Sequence, residues 1–201
     1  ADWKARVRSF LTASASVWAR SWLAWTHAGR GDYAESAAVA EEAMQIAGEA
    51  DHLYSRGQAS FGLGMVYVTQ GRAEQAIQVL EQGLVLARSE SIAFQIPFIS
   101  GPLGIACARA GDVARGVVLL EQTVEQADAT GLVAHHALRL AWLGEAQLRA
   151  GRRDAALELA RRALALAEER RERGQIAYAA CLLGDILARG GESRGADPPG
   201  A

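Results

Sequence analysis

The chain has 201 residues, half of them hydrophobic but only 6% aromatic, and its 21 basic and 23 acidic side chains leave a net charge of −2. That length fits one or two domains, and the near-neutral balance gives no pull toward nucleic acid or an anionic membrane. The apolar content comes mainly from Ala, Leu and Gly, which suit close helix-on-helix packing better than a β-sandwich built from Val, Ile, Thr and aromatics.

In chain order, residues 1–10, ADWKARVRSF, lack the apolar core of a signal peptide. They align with the end of an outer helix whose partner is missing, and the absence of an initiator Met fits a fragment or a processed form. Trp18, Trp22 and Trp25 then fall at i, i+4 and i+7, one helical stripe, which reads equally as core and as a ligand platform. Gly31 precedes a polar turn, and so do Gly71, Gly111, Gly151 and Gly191, each 40 residues after the last. Eight positions before each of these glycines stands a leucine: Leu23, Leu63, Leu103, Leu143 and Leu183. The next residue is always small: Ala24, Gly64, Gly104, Gly144 and Gly184. Glycine inside a helix costs about 1 kcal/mol relative to alanine, so a column confined to Gly and Ala marks a close helix crossing.

Each 40-residue unit therefore reads as two helices joined at the turn glycine. In the second unit, HLYSRGQASFGLGMVYVTQ precedes Gly71 and AEQAIQVLEQGLVLARS follows it. The first ends at a glycine suited to the left-handed conformation. The second carries apolar residues at three- and four-residue steps, Ala76, Ile77, Leu80 and Leu84. Asp32, Asp112 and Asp154 follow their turns as caps or first-turn acids. In the third unit, residues 91–108 carry no charge, but Gln95, Pro97, Gly101 and Pro102 argue against a membrane span. Pro97 is placed to begin a helix and Pro102 to kink it.

No unit can bury its apolar face alone, so the expected fold is all-α, a right-handed solenoid of four to five antiparallel helix pairs. The expected domain spans residues 1–190, with a flexible tail over residues 191–201.

Catalytic and metal signals are weak. FGLGMVY holds a G-x-G, but it lies mid-helix with no strand before it. His135 and His136 are adjacent and point about 100° apart on a helix, which does not suit chelation, and His27 and His52 stand alone. Cys107 and Cys181 lie in different units without a C-x-x-C pattern and read as buried packing thiols in a reducing compartment. Glu121 and Glu125 are one turn apart without an accompanying cluster. No catalytic residue, cofactor or metal is expected.

The pattern resembles the tetratricopeptide repeat (TPR), whose signature is W-x2-L-G-x2-Y, then G, then A-x3-F-x2-A. Leu63, Gly64, Tyr67, Gly71, Ala76 and Leu80 stand in its columns, and so do Leu143, Gly144, Gly151, Ala156, Ala160 and Ala163. The 40-residue unit exceeds the usual 34. It resembles the helical-repeat regions of large bacterial signalling proteins, which pair such repeats with an ATPase and a cyclase or DNA-binding output domain.

The resemblance implies that the first helix of each unit lines a concave groove. The matching positions include Trp18 and Trp25, Phe61 and Met65, Phe98 and Ile105, Glu145 with Arg149 one turn on, and Tyr178, Cys181 and Asp185. These columns hold neither Lys nor Asn, which argues against a carboxylate clamp. An apolar peptide or helix fits better, with Trp18, Trp25, Phe61, Met65, Phe98, Ile105, Glu145 and Arg149 as the groove. The expected function is a non-catalytic, cytoplasmic interaction or scaffolding module, a regulatory fragment of a larger signalling protein. Weak homodimerisation through its exposed ends is also expected. The alternatives are a small-molecule sensor region and a structural spacer that self-associates.

Overall fold

Ala, Leu, Glu and Arg favour helix at almost every position, and the chain folds accordingly. The computed structural model describes residues 3–50, 52–89 and 92–192, with side chains from Ser14 to Arg189. Its helices are α1 (Trp3–Arg30), α2 (Tyr33–Glu49), α3 (Leu53–Thr69), α4 (Ala73–Ser89), α5 (Ile96–Ala110), α6 (Val113–Thr130), α7 (His136–Arg149), α8 (Arg153–Glu169) and α9 (Arg173–Glu192). A 3-10 turn, Ala93–Gln95, leads into α5. The described residues contain no strand, and none of their helices is long and apolar enough to cross a membrane.

Four of the five turn glycines do what their spacing predicts, whereas Gly191 lies inside α9 rather than at a turn. Gly31, Gly71, Gly111 and Gly151 have φ of 86°, 74°, 104° and 75°, a region that costs a residue with a Cβ about 1–2 kcal/mol. That conformation lets the next amide reach back five residues. Arg72 N donates to Tyr67 O at 2.9 Å and Arg152 N to Gln147 O at 2.9 Å, satisfying carbonyls that the helix end would leave open. Asp112 caps α6, its Oδ1 accepting from Arg115 N at 3.3 Å. Asp32 makes no such bond; its carboxylate sits 3.2 Å from Arg30 Nε and 3.5 Å from His27 Nδ1. Asp154 is a first-turn acid of α8.

The start of the chain departs from the sequence reading. Residues 1–10 were expected to end a separate outer helix, yet α1 is continuous from Trp3 to Arg30. No Gly or Pro interrupts residues 3–28, so nothing in the chain stops the helix there. At the other end α9 runs to Glu192; the rest of the expected tail, residues 193–201, lies outside the described residues.

The chain divides into two compact units at Gly111 and Asp112. In the first, α1 packs on α2 and α3, α3 on α4 and α5, and α4 on α5. In the second, α7 packs on α6, α8 and α9, and α8 on α9. The even-numbered helices bury a stripe of small residues and leucine: Ser36, Ala40, Ala43 and Ala47 in α2, and Ala156, Ala160, Ala163 and Ala167 in α8. Such stripes let helix axes approach closely and explain a core built with few aromatics.

The small column behaves as expected in four units out of five. Ala24, Gly64, Gly104 and Gly144 are buried, and Gly184 is exposed. A Cβ on Gly64 would lie 2.4 Å from Leu80 Cδ2, and one on Gly144 would lie 3.2 Å from Leu182 Cδ2 and 3.4 Å from Ala156 O. The tightest backbone crossing falls outside that column. A Cβ on Gly62 would meet the Cβ, Oγ and Cα of Ser21 at 2.6–2.8 Å. Ser21 sits in that crossing with its hydroxyl donating to Val17 O at 2.9 Å and to Gln58 O at 3.1 Å.

Candidate functional site: an aromatic strip in the first unit

In the first unit α1, α3 and α5 bring aromatic rings into one continuous strip. The i, i+4, i+7 spacing aligns Trp18, Trp22 and Trp25 along α1, with centroids 5.3 Å and 5.4 Å apart. Phe61 of α3 meets Trp22 at 5.5 Å, Trp25 edge-on at 6.2 Å and Phe98 of α5 edge-on at 6.0 Å. The strip continues from Phe98 to Phe94 at 6.3 Å and from Phe94 to Tyr54 in a stacked pair at 5.7 Å. His52 borders Tyr54 at 5.9 Å. Edge-to-face and offset pairs at these separations are the favoured aromatic geometries.

The strip is partly open to solvent. Trp18 is 45% exposed and Phe94 54%, while Trp22, Trp25, Tyr54 and Phe98 are half-buried and Phe61 is buried at the centre. Gln95 anchors the α5 end, its Nε2 donating to Tyr54 O at 3.0 Å. Its Oε1 lies 2.6 Å from the place a Cβ on Gly57 would occupy, so only glycine admits it. Burial pushes the Tyr54 hydroxyl above its ordinary range. It pushes the His52 imidazole down, and His52 Nδ1 pairs with Ser55 Oγ at 2.8 Å. No Asp or Glu occurs in α1, α3, the 3-10 turn or α5.

Two of the sequence-predicted groove anchors lie beneath this surface. Met65 is 1% exposed and Ile105 0%; both are core, and neither side chain can touch a ligand without repacking. Trp18, Trp25, Phe61 and Phe98 belong to the strip, with Phe61 only 4% exposed. Tyr54 and Phe94 also belong to it, and sequence reasoning missed them. Their signal was the same 40-residue spacing, one turn before Gln58 and Phe98. Of the prolines, Pro97 lies in the first turn of α5 and Pro102 in its buried interior.

The second unit places different chemistry in these columns. Glu145 receives the Tyr178 hydroxyl hydrogen bond and an Arg149 Nε bond at 3.2 Å. Gln147 donates to Glu121 at 3.1 Å and accepts from Arg152 at 3.1 Å. Glu145 and Arg149 thus bind each other, while Cys181 and Asp185 are exposed. Cys107 is the buried thiol expected, but Cys181 is exposed. His135 begins α7 in the left-handed region at φ 56°. Burial first, then the Arg139 charge, push its imidazole down to about 4. Burial also lowers His136, against the opposing pull of Asp128, whose Oδ1 lies 3.1 Å from His136 Nε2. Among the described residues no group of three or more His, Cys, Asp or Glu side chains is placed to hold a metal ion.

Comparison with known proteins places these columns. Residues 15–89 and residues 140–174 each match a family model for the tetratricopeptide repeat, together more than half of the chain. The chain belongs to the tetratricopeptide-repeat family. Its fold is similar to that of the nearly identical TPR-like repeats of a Podosopora anserina protein assigned as a kinesin light chain. The TM-score is 0.61 and the identity 22%, over 88% of this chain and 87% of that one. No curated protein matches the sequence. TPR repeats mediate protein–protein contacts and scaffolding. In this TPR chain the signature columns, Leu63, Gly64, Ala76 and Leu80 among them, are buried and hold the helices together. The rings of the strip stand in columns that the signature leaves open.

Proposed function

We propose that the chain is a non-catalytic interaction module that binds an amphipathic peptide or helix across the aromatic strip of its first unit. The observation that supports this is the exposure of Trp18 and Phe94 on either side of the buried Phe61. Large rings held by their neighbours present apolar area at little conformational cost, which is why aromatics dominate binding hot spots. With no carboxylate on the helices that carry the strip, nothing there favours a cationic partner. A neutral or acidic segment with an aromatic or aliphatic anchor fits best. Glu145 and Arg149 belong to the second unit and are paired with each other, so they are left out of this reading as anchors.

In this reading the module works in the cytoplasm as a regulatory part of a bacterial signalling protein, as the 40-residue unit suggests. Trp18 and the exposed Leu23 also favour weak self-association at high concentration. Sedimentation of the wild type against Trp18→Ser/Trp22→Ser tests that point, and a wild type that stays monomeric removes it.

The binding reading is tested by titrating the chain with amphipathic helical peptides that differ only in one central anchor, Trp, Leu or Ser. Tryptophan emission and anisotropy give the affinities. Trp18→Ala and Phe94→Ala, both exposed positions, are expected to weaken the Trp- and Leu-anchored peptides tenfold or more while leaving the melting temperature nearly unchanged. Equal affinity for the Ser-anchored peptide, or binding that survives both substitutions, would overturn it.

A further inference from the structure

The connection between α6 and α7, residues 131–135, is held in place by side chains from the helices of the second unit. It ends at His135, whose φ of 56° lies in the left-handed region. A residue with a Cβ rarely stays there unless its surroundings keep it there. Arg139 Nη1 of α7 donates to Ala134 O at 2.5 Å, and Arg170 Nη1, at the end of α8, to Val133 O at 2.6 Å. Gln175 Nε2 of α9 lies 3.4 Å from His135 Nδ1. On the α6 side, His136 Nε2 lies 3.1 Å from Asp128 Oδ1.

The contact with α9 is the one that a proton reverses. A neutral His135 ring offers Nδ1 as an acceptor to the Gln175 amide, whereas a protonated ring carries N–H on both nitrogens and sets donor against donor. Turning the amide over brings up Gln175 Oε1, which is buried without a hydrogen-bond partner. That restores the hydrogen bond but leaves a new charge beside the Arg139 guanidinium, and Arg139 is only 3% exposed. The charged groups acting on the two rings are Asp128 from α6, Arg139 from α7, Arg162 from α8 and Arg170 at its end, while α9 brings the uncharged Gln175. The carboxylate among them is spent on His136. Burial and then Arg139 keep His135 neutral down to about 4. A ring released into water takes up its proton near 6.5, so the released state binds more protons and release becomes easier as pH falls between these values. Burial lowers His136 too, but Asp128 pulls it the other way, so the α6 side of the connection is the less acid-sensitive.

We propose that the α6–α7 connection is an acid-released latch: protonation of His135 frees residues 131–135 from α9 while the helices of the second unit stay folded. The latch is independent of the aromatic strip, so either reading can fail without the other.

Amide hydrogen exchange of the full chain tests it, with rates corrected for the intrinsic effect of pH. The reporters are the amides that close the connection: Leu132 N to Ala127 O at 2.9 Å, His136 N to Val133 O at 3.3 Å and Arg139 N to His135 O at 3.1 Å. Their protection is expected to fall by up to about tenfold for each pH unit between 6.5 and 4. A local opening exposes little surface, so this protection should not respond to low urea, whereas that of the α8 amides near Ala160 and Ala163 should fall with it. His135→Asn cannot take up the proton and should make the reporters indifferent to pH over the same range. Gln175→Glu keeps the test alive if that variant disturbs the turn. Its carboxylate favours the protonated ring, so protection at pH 5.5 should equal or exceed that at pH 7. Wild-type protection that ignores pH, a urea response in the connection equal to that of α8, or the same acid loss in both variants would overturn the proposal.

Discussion

The two units share their columns of Leu, Gly and Ala but fill the remaining inner positions in opposite ways. The first lines α1, α3 and α5 with rings and carries no carboxylate on those helices. The second places Glu145, Arg149 and Tyr178 there, bound to one another. Six acids of the first unit sit on its even-numbered helices instead, Glu35, Glu41, Glu42 and Glu49 in α2 and Glu74 and Glu81 in α4. A repeat separates the positions that hold the fold from those that are free to change. Two units of one design can therefore present one apolar and one polar surface.

The largest test of that contrast removes one ring from the first unit and one hydroxyl from the second. Phe61 touches three other rings and is buried, so Phe61→Ala is expected to cost about 3–5 kcal/mol through lost burial and the cavity left behind. Tyr178→Phe removes a single hydrogen bond to a charged group on a half-exposed residue and is expected to cost about 1 kcal/mol. Chemical denaturation of both variants compares them. Equal losses would mean that the strip does not hold the first unit together.

Acid distinguishes the units next. The unfolded chain accepts a proton near 6.5 that the folded His135 ring refuses until about 4. Between those values the unfolded state binds more protons, so stability is complete above about pH 6.5 and falls as pH drops toward 4. His136 is lowered as well and adds in the same direction. His52 in the first unit follows the same sign. The loss expected from His135 is about 2 kcal/mol after allowing for its partial exposure. His135→Asn, a residue that tolerates the left-handed region, should flatten the decline. Urea midpoints of the two proteins at pH 7.5 and pH 4.5 measure it, and parallel declines would assign the effect elsewhere.

The pairing of helices was legible because it rests on short-range chemistry repeated in the sequence. A glycine every 40 residues, with a leucine eight positions before it, reports both the turn and the crossing. The buried stripes of small residues in α2 and α8 follow from the same register. Solvent access was less legible. Met65 and Ile105 occupy the columns expected to face a ligand, yet the rings and helices of the same unit cover them. Cys181 reads like Cys107 in sequence, yet one thiol is exposed and the other buried. Column position tells which way a side chain points, but exposure depends on what neighbouring helices supply. Tyr54 and Phe94 are members of the strip because a stacked pair joins residues 40 positions apart. No local pattern reports such a stack.

The smallest test concerns glycines that look alike in sequence and differ in space. Gly62 in the first unit and Gly144 in the second are both buried within inner helices. A methyl group gains about 1 kcal/mol of helix propensity at either position. At Gly62 it would fall 2.8 Å from Ser21 Cα and 2.6 Å from Ser21 Cβ. Backbone cannot step aside as a side-chain tip can, so α1 and α3 must separate, and Gly62→Ala is expected to lose about 1–3 kcal/mol net. At Gly144 the first atom met is Leu182 Cδ2 at 3.2 Å, the end of a flexible side chain, and Ala156 O stands back at 3.4 Å. A few tenths of an ångström of leucine movement admits the methyl, so Gly144→Ala should stay within about 1 kcal/mol of the wild type. Gly144→Leu, by contrast, is expected to overpack the same crossing and lose about 1–3 kcal/mol. Denaturation midpoints rank the three variants. If Gly144→Ala proves as damaging as Gly62→Ala, the glycine column itself sets the closest approach in both units, and the Ser21 crossing is not special to the first.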